Sequence, residues 1–153
     1  MKYKIIDSFL SNKEINILRN FYENNKESAR AYRDIFVLEI LGIFKNLEKK
    51  YNRVYEKNGV DWLQLTHWPT GSFQKPHKDF ASDITTLTSI TYLNDDFVGG
   101  ETCSENGTVI KPKKGRTLFF DGQKYAHRVN RVEEGNRYTV SVWYKYKNIM
   151  EHI

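Results

Sequence analysis

The sequence predicts an α+β fold, a β-sandwich or jelly roll braced by N-terminal helices, and two observations carry that prediction. Up to about residue 60 the apolar positions keep helical spacing behind a capping motif. From Asp61 onward the chain breaks into short runs rich in Thr, Tyr, Val, Ile, Trp and Phe, punctuated by Gly, Pro, Asn and Asp. Helices followed by many short strands segregate into layers around one core. At 153 residues the chain has the length of one domain, 1–153, with helical support over about 1–60 and a strand-built core over about 61–147.

The elements follow in order. "SNKE", Ser11 to Glu14, has the S-x-x-E form of a capping box and precedes apolar Ile15, Ile17, Leu18 and Phe21, so a first helix is expected over about Asn12 to Glu23. Phe36, Ile40, Ile43, Phe44 and Leu47 keep the three-and-four spacing of one helix face, which predicts a second, long helix ending before Gly59. Strands are expected at "WLQLTHW", "LTSITYL", "GTVIKP", "RTLFFD" and "RYTVSVWYKY". Between them "PTGS", "NDDFVGG", "ENG", "PKKG" and "EEGN" supply turn residues. No repeat or low-complexity tract divides the chain.

Composition excludes several classes. A single cysteine, Cys103, rules out an internal disulfide framework and suits a reducing compartment, so a cytoplasmic location is expected. The N-terminus lacks a signal-peptide apolar region, and the most apolar run, Ile35 to Phe44, is too short to span a bilayer and carries Glu39. Lys and Arg outnumber Asp and Glu by 24 to 19. The basic residues gather in "KPKKGR", Lys111 to Arg116, and at Lys75, Lys78, Lys124, Arg128 and Arg131. With no aromatic-interleaved basic motif, a solvated lysine-rich surface is favoured over a nucleic-acid footprint.

The chemistry concentrates around "GSFQKPHKDF", Gly71 to Phe80, where His77 and Asp79 stand two residues apart. On an extended strand that spacing sends both side chains to one face, where they can grip one ion. Alone, the pair reads more readily as a histidine in a turn beside a solvated aspartate. A second histidine, His127, follows the strand expected at "RTLFFD". Two histidines and a carboxylate compose the facial triad of non-haem Fe(II) oxygenases, and Cys103 has no partner cysteine for a zinc site. Ten residues after His127, Arg137 opens a strand whose alternation puts Arg137, Thr139 and Ser141 on one face and Tyr138, Val140 and Val142 on the other. Such an arginine is either half solvated and paired with Glu133 or Glu134, or a buried receptor for the far carboxylate of a dicarboxylic acid.

The order of HxD, "TYLNDDFVGGET", "PKKG" with an aromatic strand, and His and Arg ten apart resembles the 2-oxoglutarate and Fe(II)-dependent dioxygenases of the prolyl 4-hydroxylase-like group, over roughly Leu63 to Tyr146. The resemblance implies a double-stranded β-helix (jelly roll), iron ligation by His77, Asp79 and His127, and a salt bridge from Arg137 to 2-oxoglutarate. It also implies that Tyr92 helps to hold the same carboxylate, that Ser141 supplies a hydroxyl on the arginine strand, and that Trp143 packs in the core or touches substrate. Fe(II), with 2-oxoglutarate and O2 as co-substrates and ascorbate as an optional reductant, is the implied cofactor set. One departure is Trp68 in "HWPTG", where relatives carry a tyrosine whose hydroxyl meets the co-substrate; an indole can donate but cannot accept.

His67 alternates to the face opposite Trp68 and is expected at the surface or behind the site, and His152 outside the chemistry. The implied reaction decarboxylates 2-oxoglutarate to succinate and CO2 and hydroxylates an unactivated C–H bond. A prolyl residue in a peptide or protein is the leading substrate. A free amino acid, another small metabolite or an alkylated nucleic acid is the alternative, as is a non-catalytic metal-binding jelly roll. Lys78 to Thr86 and "NNKESARAYRD" are expected to act as loops that close over substrate.

Overall fold

The computed structural model describes residues 1–55, 58–79 and 85–146. Helix α1, Asn12–Asn25, starts at the expected capping box: the Glu14 amide donates to Ser11 Oγ (3.1 Å) and the Ser11 amide to Glu14 Oε1 (2.9 Å). Its buried face is Ile15, Leu18 and Tyr22, whereas Ile17 is exposed.

The long second helix is not formed. Ile35–Glu39 is a strand, β3, paired with β2 (Arg30–Tyr32) on one side and with β4 (Asn58–Trp68) on the other, and only Lys45–Asn52 is helical, as α2. The residues that composed the apparent helical stripe are split apart: Phe36 and Ile43 are 39% and 52% exposed, whereas Ile40 and Leu47 are buried. Pairing to β4 supplies a ladder and two apolar faces, which outweighs a period that a short apolar run cannot specify. A further strand, β1 (Tyr3–Ile6), lies within the same N-terminal part, so it is not purely helical support.

The remaining strands are β5 (Gln74–His77), β6 (Thr85–Tyr92), β7 (Val98–Gly99), β8 (Thr102–Ser104), β9 (Val109–Ile110), β10 (Thr117–Phe120), β11 (His127–Val129), β12 (Val132–Glu134) and β13 (Arg137–Tyr146). A seven-stranded sheet in the order β1-β10-β6-β13-β4-β3-β2 faces a four-stranded sheet, β5-β11-β8-β9, which is the jelly roll expected. All recorded strand pairings are antiparallel.

Strand alternation divides the large sheet into two chemistries. Its outer face carries Leu63 and Leu65 of β4, Tyr138, Val140, Val142 and Tyr144 of β13 and Phe119 of β10, packed under α1 and α2 through Ile15, Leu18, Tyr22, Leu47 and Tyr51. The inner face carries Trp62, Gln64, Thr66 and Trp68 of β4 opposite Trp143, Ser141, Thr139 and Arg137 of β13. Truncation of Leu65, which is 0% exposed, removes a core side chain from this layer. Leu65→Ala is expected to destabilise the protein by about 2–5 kcal/mol, measured as a lower urea midpoint with little change in slope.

Candidate active site

The triad is assembled by the small sheet. His77 ends β5 and His127 begins β11, and the two are paired across the ladder, with ring centroids 4.4 Å apart. Asp79 lies just past β5, fixed by its amide donating to the Gly122 carbonyl (2.8 Å). One ligand atom from each of the three residues falls within 4.8 Å of the others.

Hydrogen bonding sets the histidine tautomers. His77 Nδ1 meets the Lys75 carbonyl (2.7 Å) and His127 Nδ1 the Tyr125 carbonyl (2.9 Å), and since a carbonyl only accepts, each Nδ1 carries the proton. Each Nε2 therefore faces inward, at 3.3 Å (His77) and 3.2 Å (His127) from Asp79 Oδ1. Lone pairs converging on one carboxylate oxygen require a cation between them, so this donor set fits a metal ion. Burial opposes ionisation of Asp79, but the neighbouring His127 and His77 and the Thr88 hydroxyl overcome it and hold the carboxyl well below the usual range. Burial likewise opposes protonation of His77, yet Asp79 and the Lys75 carbonyl raise its pKa.

Two residues that sequence reasoning passed over complete the clamp. Thr88 donates to Asp79 Oδ2 (2.8 Å), and Gly122 leaves room for it, because a methyl group at that position would overlap both Asp79 Oδ2 and Thr88 Oγ1. The glycine was visible in "DGQK", but its closeness to Asp79 is a long-range fact.

Arg137 is 1% exposed and neither Glu133 nor Glu134 pairs with it. Among the described residues no carboxylate lies within ion-pair distance of its guanidinium. Its Nη2 donates to Thr102 Oγ1 (3.3 Å), its Nε has no partner, and its charge lies 4.6 Å from the centre of the Trp68 ring and 5.3 Å from that of Tyr92. Burial pulls its pKa down and neighbouring Tyr92 opposes that. A buried, under-paired guanidinium is a receptor for an anion. Thr102, unnoticed in "GGETC", hydrogen-bonds Tyr92 Oη as well (2.7 Å), and Gly100, at φ +69°, makes space for the Arg137 side chain.

Trp68 donates its indole N–H to Thr139 Oγ1 (3.3 Å), so it offers Arg137 its ring face while its one polar atom is engaged. Ser141 and Trp143 line the cavity. His67 points to the other face as expected: it stacks on Tyr138 (4.6 Å, 8°) and binds Tyr22 Oη (3.1 Å) and Asn136 Oδ1 (2.9 Å), tying α1 to the sheet. Cys103 is buried, which raises its thiol pKa. His152 and residues 80–84 of the expected Lys78 to Thr86 loop lie outside the described residues. The other expected loop is largely ordered instead, from the end of α1 to β2, because Arg30–Tyr32 pairs with β3; Arg30 and Tyr32 nonetheless line the cavity. Triad, Arg137 and both inner strand faces share one cavity of about 400 Å³.

The 2OG-Fe(II) oxygenase superfamily model matches residues 63–145. The chain belongs to that superfamily. Its members use Fe(II), 2-oxoglutarate and O2, and the group formed by His77, Asp79 and His127 is able to hold the metal. No curated protein matches the chain. Among solved structures, the viral collagen prolyl hydroxylase of Paramecium Bursaria Chlorella virus-1, in its 2OG complex, is similar at 21% identity with a TM-score of 0.75, covering 97% of each chain. An oxidoreductase of the 2OG-Fe(II) oxygenase family from Burkholderia pseudomallei is similar at 16% identity and TM-score 0.78, over 94% of this chain and 84% of that one. A prolyl hydroxylase from Trichoplax adhaerens, in complex with a hypoxia inducible factor oxygen degradation domain peptide fragment, is similar at 19% identity and TM-score 0.75, over 95% and 84%. These likenesses establish the shared fold. Among the described residues no helix is long and apolar enough to cross a membrane.

The clamp on Asp79 leads to an expected outcome for Gly122→Ala: Mn(II) affinity, read by electron paramagnetic resonance titration, falls about tenfold or more with the circular dichroism spectrum retained.

Proposed function

We propose that this oxygenase hydroxylates an unactivated C–H bond of a prolyl residue in a peptide or protein, acting as one domain in the cytoplasm. The observation that carries the reading is a single cavity joining an inward-facing His–Asp–His group to a buried guanidinium with no carboxylate of its own. The prolyl assignment draws support from two solved relatives, a viral collagen prolyl hydroxylase and a prolyl hydroxylase in complex with a peptide fragment.

In this reading His77, Asp79 and His127 hold Fe(II), and Arg137 receives the distal carboxylate of 2-oxoglutarate with Tyr92 and Thr102 behind it. Bound there, iron and 2-oxoglutarate supply the oxidising chemistry, in which dioxygen is divided between succinate and the hydroxylated product as CO2 is lost. The chain's own contribution is orientation and exclusion. Thr88 fixes the carboxylate, the Gly122 carbonyl holds the Asp79 main chain, the Lys75 and Tyr125 carbonyls fix the imidazoles, and Trp68 with Ser141 shapes the channel between the anchors. Arg30 and Tyr32 at the rim, with Lys78, form the approach over which substrate is enclosed.

The test is succinate formation by protein loaded anaerobically with Fe(II) and then given 2-oxoglutarate and oxygen, with proline-containing peptides and free amino acids in parallel. Stimulation by peptides alone, abolished in His77→Ala, is the expected result. Stimulation by free amino acids alone would overturn the prolyl assignment, and no succinate under any condition would overturn the enzyme. The division of roles is separately testable by calorimetry. Arg137→Ala should weaken 2-oxoglutarate binding about thirtyfold or more while sparing Mn(II), since it deletes one member of a buried charge pair. Asp79→Ala should do the reverse.

A further inference from the structure

Beyond the triad and the arginine, the inner sheet face carries a second set of polar and aromatic groups. The β4–β13 register makes Arg137 face Trp68 at one end and Trp143 face Trp62 at the other, six residues or about 20 Å of strand away. Ser141 faces Gln64 between them. On its other side β13 pairs Trp143 with Thr88, the residue that holds Asp79. Through Thr88 the triad lies beside the row Thr88–Trp143–Trp62, so a group brought up to it from the cavity lies near two indoles.

The nitrogen atoms at this end are donors. An indole N–H can only donate, so the contact between Trp62 Nε1 and Gln64 at 3.2 Å assigns the Gln64 oxygen to Trp62. The Gln64 amide nitrogen is thereby turned away from Trp62, with only a 3.5 Å contact to Thr66 Oγ1, at the limit of a hydrogen bond. Trp143 Nε1 is buried and has no partner. A group accommodated here meets aromatic faces together with N–H donors, which an acceptor satisfies. Among peptide units that description fits proline, whose backbone offers a carbonyl but no N–H and whose ring is apolar.

We propose that Trp62 and Gln64 are specificity-determining residues that, with Trp143, receive the acyl-proline unit of the substrate: the ring lies against the two indoles and a flanking carbonyl accepts from Gln64 Nε2. This rests on the prolyl reading above and adds how the ring and its amide are recognised.

The test uses protein loaded with Mn(II) and 2-oxoglutarate, a proline-containing peptide and the same peptide with alanine in place of proline. All three tryptophans of the chain, Trp62, Trp68 and Trp143, line the cavity, so intrinsic fluorescence reports binding and calorimetry confirms it. Wild-type protein is expected to prefer the proline peptide. Gln64→Glu keeps the shape and the Trp62 contact but turns the donor into an acceptor, and should weaken proline-peptide binding about tenfold or more, with 2-oxoglutarate affinity retained. Trp62→Phe keeps an aromatic wall but releases Gln64, and should reduce the preference for proline over alanine even if Gln64→Glu fails to fold. Wild-type binding of the proline peptide that both variants leave unchanged would overturn this inference alone. Failure of the wild-type protein to bind any peptide, with 2-oxoglutarate still bound, would overturn the prolyl reading and this inference together.

Discussion

The antiparallel ladder of β4, β13 and β6 is the constraint on which the rest depends. Its side chains alternate, so one register fixes two surfaces together: Leu63, Leu65, Val140 and Val142 toward the helices, and Trp62, Gln64, Ser141 and Arg137 toward the cavity. A slip of one residue would bury the arginine against Ile15 and Leu18 and expose the leucines to the cavity. The apolar layer under α1 and α2 therefore does more than stabilise the sheet, since it holds the register that aims every polar group of the site.

The small sheet is the complementary half. It contributes the two histidines as a cross-strand pair and brings the main-chain carbonyl of Gly122 against Asp79. Both histidines are set by carbonyls of their own strand regions, so the tautomers needed for metal binding are properties of the backbone. The large sheet answers with Thr88, whose hydroxyl donates to the Asp79 carboxylate. Metal geometry thus depends on the distance between the two sheets.

Charge is arranged with the same economy of groups. A buried guanidinium beside aromatic faces and a single threonine hydroxyl is costly in the unliganded protein. In the proposed function that cost is offset when a dicarboxylate enters.

The chemistry was legible in the sequence wherever it depended on neighbours along the chain. The two-residue spacing of His77 and Asp79, the shared face of Arg137, Thr139 and Ser141, the opposite facing of His67 and Trp68, and the Ser11–Glu14 cap are all consequences of local periodicity. The strand at Ile35–Glu39 was misread because a short apolar run satisfies both periods, and pairing with β4 decides between them. Thr88, Thr102 and Gly122 escaped for a related reason: each matters through an atom distant in sequence, Asp79 for two of them and Tyr92 with Arg137 for the third. The sequence by itself determined which side chains share a face along one stretch of chain, as Arg137, Thr139 and Ser141 do. Only the tertiary structure decided which faces meet, because cross-strand register and inter-sheet packing arise from long-range burial that local spacing does not encode.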